Sequence, residues 1–279
     1  MLTLFNRYHN GDIFYSRPIV DKLISRGIKV KYLHGCRREI LEDLPVEQGG
    51  LPHSSLIENL SENVVDTWIG KRPGVFTSQG CFFGGHTALS KSILNHYNIE
   101  YNELDFLPTV RFNNLKENFI ERIQVLAASL KSSYRKIVLI CNNHCLSGQS
   151  QNFSFDPIIS KLITKQEDVA FIVTNPTSCS NKNLIKFYEI IDDISCDLLY
   201  LSYFSTHADV IVGRASGPHC FTHLKENLLD GKKTYISITN NYNEGVWYPD
   251  SIANQVWSND YNLSSVFKLI DIEVGKCYD

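Results

Sequence analysis

No apolar run in these 279 residues approaches the ~20 needed to cross a bilayer, so peripheral membrane association is the most that is expected. The chain opens on a strand-like segment and a polar loop instead of a charged and then apolar leader, and a cytoplasmic protein is the expectation. Charge of one sign is also scarce: 27 Lys and Arg against 30 Asp and Glu give a net charge of −3, which gives no footprint for nucleic acid. The spaced glycines of a dinucleotide fingerprint and the Lys-Ser/Thr of a phosphate-binding loop are missing, which argues against nicotinamide dehydrogenases and P-loop kinases. No Gly-x-Ser-x-Gly elbow marks a serine hydrolase. There is no internal repeat and no low-complexity segment.

Cysteine is present, but without a framework. The eight, at 36, 81, 141, 145, 179, 196, 220 and 277, are scattered and read as small buried hydrophobes. Cys141, His144 and Cys145 lie close together, yet no second pair at ligand spacing follows. No metal site is expected, because structural zinc takes four ligands.

What is there is a globular composition, 43% hydrophobic and 20% charged, long enough for two domains of roughly 130 residues. Strands and helices alternate. The first half reads as strand 2–5, helix 16–26, strand 28–33, a short strand at 64–69, a helix at 87–96 and an amphipathic segment at 119–126. The second half restarts at Lys136 to Cys141, a continuous apolar run of the kind buried in parallel sheets. Helix 157–164, strand 169–173, helix 183–191, strand 209–213, helix 217–228 and strand 234–238 follow. This order predicts α/β architecture with two Rossmann-like parallel-sheet domains. The boundary is expected between about 108 and 135, which divides the chain into 1–130 and 131–279.

Three strand-to-helix loops carry candidate chemistry. In the first, Asn6 to Pro18, Gly11 frees the backbone and Asp12 sets a carboxylate at the carboxyl edge of a strand, where open α/β sheets bind ligands. The competing reading is a helix cap. In the second, Val210 to His219, Ser216 suits an N-cap and Pro218 a first turn, and the free amides make an anion site to which Arg214 and His219 add charge. A plain turn would look the same. The third, Asn142 to Ser150, is long, polar and glycine-containing.

Together these loops resemble the two-domain GT-B glycosyltransferases, and within them the heptosyltransferase-like (ADP-heptose transferase) family. The resemblance rests on Gly11-Asp12-x3-Ser16-x-Pro18 near the start and on Ser216-Gly217-Pro218 late in the second domain. Ala215 stands where the family's turn carries an acid, and His219 comes one position early. The resemblance implies two domains facing a central cleft, an amino-terminal acceptor domain and a carboxyl-terminal donor domain. It implies transfer of a sugar from a nucleotide-diphosphate donor to an acceptor hydroxyl on a glycan, a lipid or another molecule, inverting and independent of metal or other cofactor. Asp12 would then be the general base, with His9 orienting the acceptor or tuning the base. Arg214, Ser216, Gly217, Pro218, His219, Asn142, Ser147 and Gly148 would hold the donor, and Arg17, Trp68 and His86 the acceptor. A solvated loop is the plain reading of His9, and a core aromatic that of Trp68. Two alternatives stay open: a nucleotide-sugar epimerase or hydrolase of the same fold, and a catalytically degenerate binding module, which Ala215 motivates.

Overall fold

The computed structural model describes residues 1–52, 56–71, 82–191, 197–214 and 217–276. Ala215, Ser216 and cysteines 81, 196 and 277 lie outside the described residues. The chain forms two compact units, Met1–Leu115 and Lys116–Asp279. The expected cut at 130/131 falls inside a helix, Glu117–Ser133, that packs on the second unit's own sheet and helices.

The first unit runs β1 (Leu2–Asn6), α1 (Asn10–Ser25), β2 (Val30–His34), β3 (Glu47–Gly49), β4 (Val64–Asp66) and α2 (Phe82–His96). Its sheet has the order β3-β2-β1-β4, with every pairing parallel. The chain winds outward from β1 to β3 and then crosses back to β4. The point of reversal therefore lies between β1 and β4, where α/β sheets open a ligand crevice. Helix α1 starts six residues earlier than the pattern implies, so Gly11 and Asp12 sit in its first turn and Pro18 lies in its interior. Burial from Ile13 to Val20 outweighs the missing Pro18 amide. Gly27, at φ +77°, ends the helix: its amide bonds Ile24 O and the Ile28 amide bonds Leu23 O, the Schellman pattern.

The second unit follows as α3 (Glu117–Ser133), β5 (Lys136–Cys141), α4 (Asp156–Lys165), β6 (Val169–Val173), β7 (Leu184–Lys186), α5 (Phe187–Ile190), α6 (Asp197–Ser205), β8 (Val210–Gly213), α7 (Lys225–Leu228), β9 (Thr234–Ile238), α8 (Tyr242–Gly245), β10 (Asn254–Ser258) and α9 (Leu263–Gly275). Its six strands are all parallel in the order β10-β9-β8-β5-β6-β7. Counted from β5, this is the 3-2-1-4-5-6 doubly wound order, with its reversal between β5 and β8. Alternate strand residues, Val138, Ile140, Phe171, Val173, Val210, Val212, Ile236 and Ile238, face a core closed by α4 and α9 through Ile159, Leu162, Val266, Ile270 and Val274.

Two expected helices are corrected. Residues 183–191 form edge strand β7 and one helical turn, because the buried Asn183 amide donates to the carbonyls of Ile163, Gln166 and Val169 and locks the strand entrance. Residues 217–228 form a 3-10 turn over Gly217–Thr222 and then the single turn α7. The Thr222 hydroxyl donates back to His219 O, and Asn227 Nδ2 donates to Thr222 O, so the backbone is held in two short pieces. Strand β10 and helix α9 were not expected from the sequence. No helix among the described residues is long and apolar enough to cross a membrane.

Candidate functional site

At the reversal point of the first unit, the residues after β1 and β4 meet. His9 is the N-cap of α1 but its side chain makes no cap bond. Asp12 is therefore a first-turn residue and not the cap itself. Its half-buried carboxyl is pushed up from 3.8 to about 6: burial raises it, His9 and nearby backbone amides pull it down, and the Asp66 charge adds to the rise. A carboxyl that loses its proton just below neutral pH is suited to general-base work. His9 is exposed beside it.

Trp68 follows β4, half-buried, with its backbone amide on Asp66 Oδ1 at 3.0 Å. The Tyr8 ring packs on it at 4.2 Å between centroids and remains 46% exposed. Sequence reasoning missed Tyr8, although an aromatic next to His9 in the same loop was the available sign. Gly70 has no room for a Cβ, which would lie 2.4 Å from the Trp68 ring. Beneath this pair runs a buried polar chain. Ser16 Oγ shares a hydrogen bond of 2.8 Å with the Tyr32 hydroxyl, which shares one of 2.7 Å with Thr67 Oγ1; Asn6 Nδ2 donates to Thr67 Oγ1, and Asn6 Oδ1 accepts the Tyr8 amide. It ties α1, β2, β1 and the end of β4 together under Asp12 and Trp68. Satisfied networks of this kind fix a single arrangement.

Two expected acceptor residues are buried side chains. Arg17 is 1% exposed and spends its guanidinium on both Asp43 carboxylate oxygens, at 2.8 and 2.5 Å, and on the carbonyls of Thr109 and Ile40. It is an internal staple. His86 lies inside α2, not ahead of it, buried with its ring 5.4 Å from Tyr15. Burial pushes it down to about 3, so it is neutral at pH 7.

At the reversal point of the second unit, the loops after β5 and β8 leave neighbouring strands, with Cys141 paired to Gly213. The structure brings Asn142, Arg214 and Gly217 together here. The Asn142 amide braces the start of the loop after β6: Oδ1 accepts from the amides of Thr174 and Asn175, and Nδ2 donates to Asn175 O. Ser147 is exposed and donates to Gln149. Gly148 and Gly217 adopt φ of +75° and +56°, which a side chain would strain. A Cβ on Gly217 would meet only Asn143 Cβ, at 3.9 Å. Pro218 is half-buried in the following turn.

Arg214 and His219 do not present charge at the loop surface as expected. Arg214 is 1% exposed, with its guanidinium donating to the carbonyls of Asn143, Gln151 and Phe153 and its faces against Phe153 and Phe155 at 4.5 and 4.7 Å. Charge-assisted bonds of ~1.5–3 kcal/mol and desolvated cation–π contacts of ~2 kcal/mol offset the cost of burying it. His219 is fully buried beside His223 and Tyr235, and burial pushes it down to about 4 while the nearby Arg214 backbone opposes only part of that shift. Its ring fits because Gly213 lacks a Cβ, which would lie 2.8 Å from three His219 atoms. Gly213→Ala is expected to cost ~1–3 kcal/mol in urea denaturation, since the buried ring cannot retreat. Stability equal to wild type would show that the ring moves freely. Among the described residues no group of three metal-ligating side chains gathers, and the buried Cys141 thiol is pushed far up by burial.

The chain thus has a two-domain Rossmann-like fold, two all-parallel α/β units in sequence with the second doubly wound. No family model matches the sequence, and no curated protein matches it. Solved structures do. The Escherichia coli ADP-heptose lps heptosyltransferase II is similar with a TM-score of 0.56 at 12% identity over 98% of each chain. A glycosyl transferase family 9 protein from Veillonella parvula gives 0.54 at 7% identity, covering 100% of this chain and 90% of that one. Escherichia coli heptosyltransferase WaaC, solved with ADP, gives 0.53 at 8% identity over 98% and 99%. At such identities the likeness is one of fold.

Proposed function

We propose that the protein is a glycosyltransferase that moves a sugar from a nucleotide-diphosphate donor to an acceptor hydroxyl, by a single inverting displacement that uses no metal. The observation that carries this reading is Asp12: a half-buried carboxyl raised to about 6, in the first turn of α1, at the reversal point of a parallel sheet. It takes the proton of the acceptor hydroxyl as that oxygen attacks the anomeric carbon. The exposed His9 orients the acceptor, and the Tyr8 and Trp68 rings offer it an aromatic face. In the second unit, backbone amides of the loops after β5 and β8 receive the phosphates, and Gly148 and Gly217 keep the approach open. The likeness in fold to heptosyltransferases supports the donor class.

The test is to incubate the protein with nucleotide-diphosphate sugars, with and without glycan acceptors, and to follow nucleoside diphosphate release and product mass. Release that depends on the acceptor is the expected result. Donor consumption without acceptor would replace the transferase with an epimerase or hydrolase, and no turnover with any donor would leave a binding module.

A further inference from the structure

Strands β1 and β4 end in the same way. Each closes on a residue whose side-chain Oδ1 accepts the backbone amide two residues on: Asn6 takes the Tyr8 amide at 2.9 Å, and Asp66 takes the Trp68 amide at 3.0 Å. The strands are parallel neighbours, with Phe5 opposite Asp66, and Asn6 Nδ2 donates across to Thr67 Oγ1 at 3.0 Å. The twin turns deliver the two aromatic rings that pack on each other. Their geometry asks only for an acceptor oxygen, and Asn6 supplies one without charge. Asp66 is 5% exposed, and burying a carboxylate costs more than burying an amide. The turn therefore does not account for the charge of Asp66.

Asp12 does. Among the described residues, the ionisable groups whose charges act on Asp12 or respond to it are His9 on its own loop, Asp66 on β4, Tyr32 on β2 and Cys36 just after β2. Burial pushes the Tyr32 hydroxyl and the Cys36 thiol up, so both are neutral at pH 7. Two opposing influences remain, His9 pulling the Asp12 carboxyl down and Asp66 pushing it up. We propose that Asp66 is a positioning residue of this site, with its Oδ1 fixing Trp68 in the aromatic face and its negative charge making Asp12 the stronger base. A stronger base takes the proton of the acceptor hydroxyl more readily. The kinetic part of this inference rests on the glycosyltransferase reading; the action of one carboxylate on the other does not.

The experiment titrates the side-chain carboxyl carbon of Asp12 by NMR, assigned by its loss in Asp12→Asn, in the wild type, Asp66→Asn and Asp66→Ala. Acceptor KM and the pH dependence of kcat/KM are measured on the same three proteins. Asp66→Asn keeps the turn and loses the charge. It is expected to lower the Asp12 midpoint, and with it the acid limb of kcat/KM, by ~0.5–1 in pH, with acceptor KM within ~2-fold of wild type. Asp66→Ala loses both, so the same fall comes with an acceptor KM raised roughly 3- to 10-fold, the loss of one hydrogen bond. An Asp12 midpoint that stays in place in Asp66→Asn overturns the role of the charge, and an acceptor KM unchanged in Asp66→Ala overturns that of the turn. If Asp66→Asn does not fold, Asp66→Ser, whose hydroxyl can close the same turn without charge, is titrated in its place. A lowered midpoint with no transfer from any donor keeps the action of Asp66 on Asp12 and removes the transferase. Transfer whose acid limb is indifferent to Asp66→Asn keeps the transferase and removes the proposal.

Discussion

Asp12→Asn is expected to lower sugar transfer by roughly 10²- to 10⁴-fold, the usual contribution of a positioned general base, with donor affinity unchanged. In the wild type the acid limb of kcat/KM falls below pH 6, because protonating Asp12, with its carboxyl at about 6, removes the base. The same group predicts a gain in stability for the variant. The folded protein holds the Asp12 proton up to about pH 6, whereas the unfolded carboxyl releases it near 3.8. Between those values the native state binds more protons, so wild-type stability falls as pH rises from ~4 to ~6, and the full penalty persists above. Asparagine carries no such penalty. Denaturation at pH 7 should therefore find Asp12→Asn more stable than wild type by up to ~3 kcal/mol, less whatever its contacts with the first-turn amides are worth, and the gain should vanish near pH 4. A residue whose task is only to serve the helix start gives the opposite pair of results: lost stability and full transfer per folded molecule.

This opposition separates the two readings of Asp12 that the sequence leaves open, and it shows what kind of information the sequence withheld. Strands β5, β6, β8 and β9 are buried on both faces, so they appear as uninterrupted apolar runs and were legible. Strand β10 is half-buried at a sheet edge and its Asn-Gln-Val-Trp-Ser has no such run. Residues 183–191 have helical spacing, but Asn183 bonds to carbonyls 14 to 20 residues away, and tertiary contacts outweigh local pattern. The candidate site divides in the same way. The positions of Asp12, Asn142 and Gly217 follow from the strand-then-helix order, which puts loops at the carboxyl edge of a sheet. The surroundings of Arg214 and His219 do not. A cage of carbonyls over 60 residues upstream, and a ring seated against Gly213, are facts of packing with no local trace.

Arg17→Ala is expected to destabilise the protein by ~3–5 kcal/mol, the cost of leaving a buried carboxylate without its partner. The side chain of Asp43 is fully buried and, among the described residues, keeps only the Arg111 amide, at 2.7 Å on Oδ2, once the guanidinium is gone. The truncation also releases the carbonyls of Ile40 and Thr109, so three segments of the first unit lose a common anchor. An apolar replacement of similar length does not repair this, because the charge of Asp43 remains. Arg17→Met should therefore destabilise nearly as much as Arg17→Ala, while Arg17→Met with Asp43→Leu should recover most of the loss, since removing both members of a buried ion pair is often close to neutral. Urea denaturation of the three variants measures this directly. Folded Arg17→Met should keep the acceptor KM of wild type at a temperature well below its Tm, because the guanidinium reaches no surface. A raised acceptor KM with unchanged stability would return Arg17 to the acceptor site and overturn its role as an internal anchor.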